Sequence, residues 1–463
     1  MSAAVAETSA LRAVAGTARP AADVTTPAVL LKFDPNVMHH GALGAIRSLG
    51  RMGVPVYAVQ ESGWSPAGHS RYLRGRVLWR PAALPAGRVQ AGLLHLAELI
   101  GRPAVLIPTD DAGAIFLAEY GEVLRGMFLF AAPPASLPRQ VVAKQSLHTL
   151  CADLGFPSPR SCLASSLDQA ARAAEDYGYP VAGKLAWPWL CSLDRAGTRL
   201  LSTQIIRDRA GLDAAWRAVE SGHPSGGAGL MVQEYIPAAP GHDWFFHGYM
   251  GADGACRPAC TGVKDRSYPA HAGLTSFGRC MPNPALRASV TDLLNRLNYR
   301  GIADLDLRLD GRDGQYKLLD FNPRLGAQFR LFTGPDGLDV VRAAYLDLTG
   351  QPVPASEAVT GRTFMVESYD PLSAISYWRR GELSLQSWLA ATRAVHETAW
   401  FAHDDLRPFE LMCLRMGWRA LTRPLERIAG AAARREPAVR SSGIRPRLRR
   451  GRNDAGRCGA DAS

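Results

Sequence analysis

The residues with the clearest chemical potential lie between Gly301 and Arg324. Asp304 and Asp306 are two positions apart and share one face of a strand; Asp320 and Asn322 do the same further on. Between them Asp310-Gly311-Arg312-Asp313-Gly314 is a hairpin signal. Folding about Arg312 brings Asp306 opposite Leu319, within one register step of Asp320. Carboxylates crowded in this way repel one another and raise each other's pKa unless a cation offsets them. Oxygen donors suit Mg²⁺, with Mn²⁺ as an alternative, which binds one or two carboxylates together with phosphate oxygens and water. Leu305, Leu307, Leu318, Leu319 and Phe321 mark the opposite face as buried, which weighs against a merely solvated acidic strand. Arg324 follows directly and can grip a phosphate or a carboxylate. Metal-binding acids followed by an arginine suit transfer of a phosphoryl group onto a carboxylate.

The chain has only five lysines, Lys32, Lys144, Lys184, Lys264 and Lys317, among 53 basic residues. Where arginine is otherwise so strongly preferred, a lysine marks a candidate site for a compact ammonium rather than a planar fork. Lys317 reads as the exception, a cation on an exposed strand face.

These side chains need elements to hold them. Over 27–132 apolar strands at 28–33, 54–59 and 104–107 alternate with helical spacing at 41–52, 89–100 and 111–123, the last capped by Asp110 or Asp111. That alternation predicts a doubly wound parallel sheet. Gly41-x-x-Gly44 is only a fragment of a dinucleotide fingerprint, and Gln60-Glu61 is a marginal end to the second strand, so NAD binding is not supported. Ala132-Pro133-Pro134 breaks the pattern. A helix over 139–154 and strands over 180–186, 229–236, 244–250, 301–309 and 315–321 then predict an α+β layout. Over 362–430, aromatic and leucine residues at helical spacing, among them Tyr377, Trp378, Leu385 and Trp388, predict helices with these aromatics in the core.

The segment Asp306…Leu318-Leu319-Asp320-Phe321-Asn322-Pro323-Arg324 resembles the Mg²⁺ motif of the ATP-grasp superfamily. The resemblance covers roughly 27–350, and the nearest group is the carboxylate–amine ligase-like one. His40-Gly-Ala-Leu-Gly, Arg47-Ser-Leu-Gly and Asp404-Asp405 are also similar to that group. It implies Asp306, Asp320 and Asn322 as metal ligands and Arg324 beside the reacting phosphate. Lys144 and Lys184 match the two nucleotide lysines, Lys184 being the one on the phosphates. Gln233-Glu234-Tyr235-Ile236 resembles the strand that borders adenine through its backbone, and Asp243 is similar in place to the ribose acid. Lys264, Arg266 and Arg330 are candidate substrate contacts, the first two on a loop expected over 262–275. The family often has Glu where this chain has Asp320. Its phosphate-covering loop is Gly-rich, whereas Trp187-Pro188-Trp189 follows Lys184 here and only Gly197 comes before the next strand, unless 222–229 takes part.

The organisation expected is a disordered leader (1–26), a Rossmann-like pre-ATP-grasp domain (27–132), an ATP-grasp catalytic domain (133–355), a helical segment (356–430) and a disordered tail (431–463). The activity implied is an ATP- and Mg²⁺-dependent carboxylate–amine, or carboxylate–thiol, ligase working through an acyl phosphate on a small carboxylic acid and an amine. A phosphotransferase of the same fold is the first alternative. The other is a nucleic-acid-binding protein using the tail, whose nine arginines against three acids supply +6 of the net +11. The tail lacks interleaved aromatics for base stacking, so nucleic acid is not the favoured partner. Eight scattered cysteines without paired metal-ligand spacing fit a reducing cytoplasm. No long apolar run predicts a membrane span. Oligomeric state is left open, a homodimer being one of the allowed forms.

Overall fold

The alternating N-terminal segment folds as a parallel sheet. Its strands are β1 (Ala28–Leu31), β2 (Val56–Gln60), β3 (Leu73–Leu78), β4 (Ala104–Pro108) and β5 (Phe128–Leu129), ordered β3-β2-β1-β4-β5. Val29, Leu31 and Leu106 pack with Leu93 and Phe116 of helices α2 (Ala86–Ile100) and α3 (Asp111–Tyr120). Helix α1 (His40–Met52) packs on β1 and β2. His39 Nδ1 accepts the Ala42 N–H at its start, and Gly53 ends it at φ 98°, where a side chain would be strained. The computed structural model describes residues 22–185, 203–222, 229–271 and 273–433.

A second, antiparallel sheet has the order β6-β9-β7-β8, from β6 (Ser161–Ala164), β7 (Val181–Leu185), β8 (Thr203–Ile206) and β9 (Leu230–Glu234). The helix expected over 139–154 is two, α4 (Leu137–Val142) and α5 (Lys144–Asp153). Ala143 between them is extended at φ −72°, ψ 114°, and no Gly or Pro announces the break. The bend makes Lys144 a first-turn residue. Helices α6 (Leu167–Tyr177) and α7 (Arg209–Gly222) bury Ala170, Ala174 and Leu212 against Val181 and Val232 of this sheet.

The third sheet is built from β10 (Asp243–Met250), β11 (Cys256–Tyr268), β12 (Leu274–Cys280), β13 (Gly301–Asp310), β14 (Gln315–Asn322), β15 (Thr363–Met365) and β16 (Glu397–Thr398). Its order is β14-β13-β10-β11-β12-β15-β16. Leu305, Leu307, Leu318 and Phe321 pack with Phe246 on α4, α5 and α8 (Pro284–Arg296), which leaves the acids on the other face. The loop expected over 262–275 is therefore mostly strand. Its backbone pairs with β12, with register irregularities between Lys264 and Arg266 and between Arg266 and Ser267.

After α9 (Val340–Leu348) come α10 (Asp370–Arg379), α11 (Leu385–Arg393) and α12 (Arg407–Ala433). Tyr377 is buried as expected, but Trp378 and Leu385 are exposed, because α10 and α11 each turn one face to solvent. Residues to Cys413 form one compact unit, and the chain from Leu414 is a second. Of the leader, residues 22–26 are placed, and Tyr345 Oη donates to the Thr26 carbonyl (2.8 Å). Trp187-Pro188-Trp189, Gly197, residues 223–228 and the arginine-rich tail from 434 lie outside the described residues. Among the described residues no helix is long and apolar enough to cross a membrane.

Candidate active site

Register decides what the acidic hairpin can do. Asp306 pairs with Asp320 and Asp304 with Asn322, so all four side chains share one patch. The expected partner of Asp306, Leu319, is instead the extra residue of a β-bulge, since Leu307 pairs with Leu318. The bulge leaves the Leu319 carbonyl outside the ladder, where it accepts from Lys184 Nζ (3.0 Å).

Three of the five lysines converge here. Lys144 Nζ bonds Asp320, and Lys264 Nζ lies 3.2 Å from Asp306 Oδ1. Burial opposes ionisation of Asp320, but Lys144 and Lys184 outweigh it and hold the carboxyl below its ordinary range. Burial, reinforced by Lys144, pushes Lys184 down to about 8. Lys264 is raised, because Asp306 and Asp243 outweigh its burial. Lys317, expected on an exposed face, is paired with Asp310 and Asp313 (2.6 and 2.9 Å) at the hairpin bend. Lys32 is buried against Glu61 (2.5 Å).

Behind the patch lies a layer that sequence reading missed. His247 Nε2 approaches Asp304 Oδ1 at 3.1 Å without hydrogen-bond alignment. Burial, with Arg324 and Lys264, pushes the imidazole down to about 3, and burial raises Asp304. Gly326 lies against this pair so closely that a Cβ there would strike the His247 ring. Arg324 donates to Asn322 Oδ1 (2.9 Å), Asp304 Oδ2 (3.3 Å) and Asp111 Oδ1 (3.1 Å), tying the hairpin to the parallel sheet. A lone histidine in the apolar run of β10 was the available signal; Asp111 carried only a capping signal.

A cavity of about 560 Å³ opens between the second and third sheets. Lys184, Lys264, Asp306 and Asp320 lie at one part of its wall, and Gln233, Glu234, Tyr235, Ile236 and Asp243 at another. Arg308, also missed, organises the second part. Its guanidinium bonds Asp243 Oδ1 (2.5 Å), the Ile236 carbonyl (3.0 Å) and the His271 carbonyl (2.9 Å). Glu234 turns its carboxylate to Arg312 (2.9 Å), and Gln233 Nε2 meets His148 Nε2 (2.7 Å).

The two other proposed substrate cations sit elsewhere. Arg266 is buried in a bidentate pair with Asp370 (2.8 and 3.0 Å) and stacked over Phe277, with Trp388 Nε1 on the same carboxylate. Arg330 is buried beside Gly44, donates to the Thr398 and Ala399 carbonyls and lies 2.9 Å from Glu397. Neither lines the cavity: Arg266 ties β11 to α10, and Arg330 ties the turn after β14 to β16 and the residue that follows it. Burial of a guanidinium demands such partners.

Among the described residues no three His, Cys, Asp or Glu side chains form a metal cluster. The donors at hand, two facing carboxylates and an amide oxygen, still fit Mg²⁺, which needs few protein ligands when phosphates and water complete its shell.

Solved structures share this fold, the one expected from the ATP-grasp resemblance. No family model matches the sequence. The chain is similar to the biotin carboxylase of Campylobacter jejuni, solved with an ATP analogue, at TM-score 0.52 and 16% identity, covering 72% of this chain and 73% of that one. It is also similar to the N5-carboxyaminoimidazole synthetase of Staphylococcus aureus complexed with ADP, at TM-score 0.54 and 10% identity over 73% and 81% of the two chains. In sequence it is 24% identical over 252 residues to a D-aspartate ligase of Enterococcus faecium (strain Aus0004). That match spans 51% of this chain and 57% of the relative.

Proposed function

We propose that the chain is an ATP-dependent ligase that joins a small carboxylic acid to an amine through an acyl phosphate. The observation that carries this reading is the convergence of Lys184 and Lys264 with the facing Asp306 and Asp320 on one nucleotide-sized cavity, with Lys144 bonded to Asp320. The D-aspartate ligase match and the nucleotide-bound structural relatives support it. Adenine lies along Gln233–Ile236, ribose against Asp243, and the phosphates run to Lys184 and Lys144. Asp306, Asp320 and Asn322 would hold Mg²⁺, which would screen the phosphate charge. The substrate carboxylate, oriented by Arg324, attacks the γ-phosphorus, and the bond to the β-phosphate oxygen breaks to release ADP. The amine then attacks the acyl carbon as phosphate leaves, and the nitrogen gives its surplus protons to water and phosphate. Residues 27–132 and 133–355 serve as the pre-ATP-grasp and catalytic domains.

The test is a screen of amino acids and small carboxylic acids for stimulated ADP formation, with mass spectrometry of the product. An acid-dependent amide product is expected. The same stimulation in Asp320→Ala would refute the metal assignment. ADP release with phosphate retained on the acid would make the protein a phosphotransferase.

A further inference from the structure

We propose that helix α12 lies on an anionic lipid surface, with its apolar ridge among the acyl chains and its arginines among the headgroups. Leu411, Leu414, Trp418, Leu421, Leu425 and Ile428 recur three and four positions apart in the sequence of α12, the spacing of a single helix stripe. A stripe of this kind ordinarily faces a protein core. Here Leu411 is half-buried, while Leu414 and Trp418, one helical turn apart, are each 69% exposed. Large apolar side chains that neighbour one another and remain in water mark a contact with something else.

The charge of the chain is concentrated on the same segment. From Leu414 to Ser463 the sequence has thirteen arginines and no lysine against Glu426, Glu436, Asp454 and Asp461, which makes +9 of the net +11. The unit Met1–Cys413 is left close to neutral. Arg415, Arg419, Arg423 and Arg427 recur at every fourth position, a spacing that sets them beside the ridge rather than within it. An apolar stripe that includes a tryptophan, flanked by arginines, is the pattern of a helix lying in the plane of a bilayer interface. α12 spans 27 residues, but five arginines and two glutamates interrupt it, so it rests on the bilayer rather than crossing it.

Other partners account for only one of the two features. Nucleic acid would engage the arginines but has no use for the ridge, and no aromatic residue follows Trp418 for bases to stack on. A second copy would cover the ridge but bring two segments of +9 together. A bilayer with anionic headgroups takes up both the apolar surface and the charge.

Flotation of the full chain with vesicles of phosphatidylcholine, alone or with about 30% phosphatidylglycerol, tests the proposal. The parent is expected to partition at least about tenfold more strongly into the anionic vesicles, and to lose most of that excess between about 0.1 M and about 0.5 M salt. Leu414→Ser combined with Trp418→Ser keeps every charge and should weaken anionic binding about tenfold or more, whereas Trp418→Phe alone should stay within about threefold of the parent. Both side chains are exposed, so the double variant should keep the parent's Tm. A second readout needs only the conservative variant: the emission lost on Trp418→Phe should shift to the blue when the parent meets anionic vesicles. Parent protein that floats with neither vesicle, or an emission that does not shift, overturns the proposal. So does anionic binding that the double variant leaves unchanged, which would reduce the contact to charge alone. Tighter binding to duplex DNA than to the anionic vesicles also overturns it, in favour of nucleic acid. A dimer in sedimentation equilibrium that dissociates in the double variant, without flotation of the parent, overturns it in favour of a second copy.

Discussion

Replacing Asp405 by alanine should be among the most costly single changes in this chain. Arg47, in the middle of α1, is fully buried, and its Nε lies 2.9 Å from Asp405 Oδ2. The same carboxylate accepts from Ser70 Oγ (2.7 Å) and from the Arg71 N–H (2.9 Å). Without it, Arg47 keeps only the Trp400 and Asp405 carbonyls (2.7 and 2.8 Å) against a buried positive charge. Removing one member of a buried ion pair costs about 3–5 kcal/mol, because the survivor stays charged and poorly solvated. For the Met1–Cys413 unit, an unfolding entropy of about 2.1 cal/mol/K per residue sums to roughly 0.8–0.9 kcal/mol/K. A loss of about 4 kcal/mol therefore lowers Tm by about 5 °C. Adding Arg47→Met removes the stranded charge and should restore about half of that loss. Scanning calorimetry at pH 7 measures both variants. A shift under about 1 °C for Asp405→Ala, or strict additivity in the double variant, would refute the reasoning.

Gly326→Ala should reduce acid-stimulated ADP formation by about tenfold or more, since its Cβ would strike His247 and lie 2.6 Å from Asp304 Cγ, two residues from Arg324. Full activity in that variant would show the layer behind the hairpin to be dispensable. Arg308→Met frees Asp243 and the Ile236 carbonyl, so calorimetric titration should find Kd for a non-hydrolysable ATP analogue raised about tenfold, or about 1.4 kcal/mol. An unchanged Kd would separate Arg308 from nucleotide binding. Hydrogen bonds from Arg51, then Tyr72, hold the Asp404 carboxyl well below the usual range. A depressed folded pKa contributes stability above the unfolded value of about 3.9 and loses it as pH falls through the folded one. The Tm gap between parent and Asp404→Asn should thus be widest above about pH 4 and close in stronger acid; a gap that widens in acid would contradict the assignment.

How much of this was visible in the sequence depended on whether the information was local. The hairpin was legible because leucines alternate with acids on either side of a strong turn, and the parallel sheet because apolar runs alternate with helical spacing. The bulge at Leu319 was not, since no glycine marks it and the residue its carbonyl meets, Lys184, is far along the chain. The break at Ala143 was equally hidden, since no breaker residue marks it. Scarcity of lysine pointed to Lys144, Lys184 and Lys264 without any geometry, and equally to Lys32, which pairs with Glu61 away from the hairpin. It could not separate Arg266 and Arg330 from substrate contacts, because their partners, Asp370 and Glu397, are far along the chain. Arg308 and Asp111 escaped for the same reason.

Transfer of oxygen from substrate to phosphate tests the central proposal most directly. With ATP, Mg²⁺ and the stimulating acid labelled with ¹⁸O in its carboxyl group, mass spectrometry of the released phosphate should find one labelled oxygen per ADP formed. Phosphate carrying no label, at an undiminished rate of ADP and amide formation, would contradict an acyl phosphate at this hairpin.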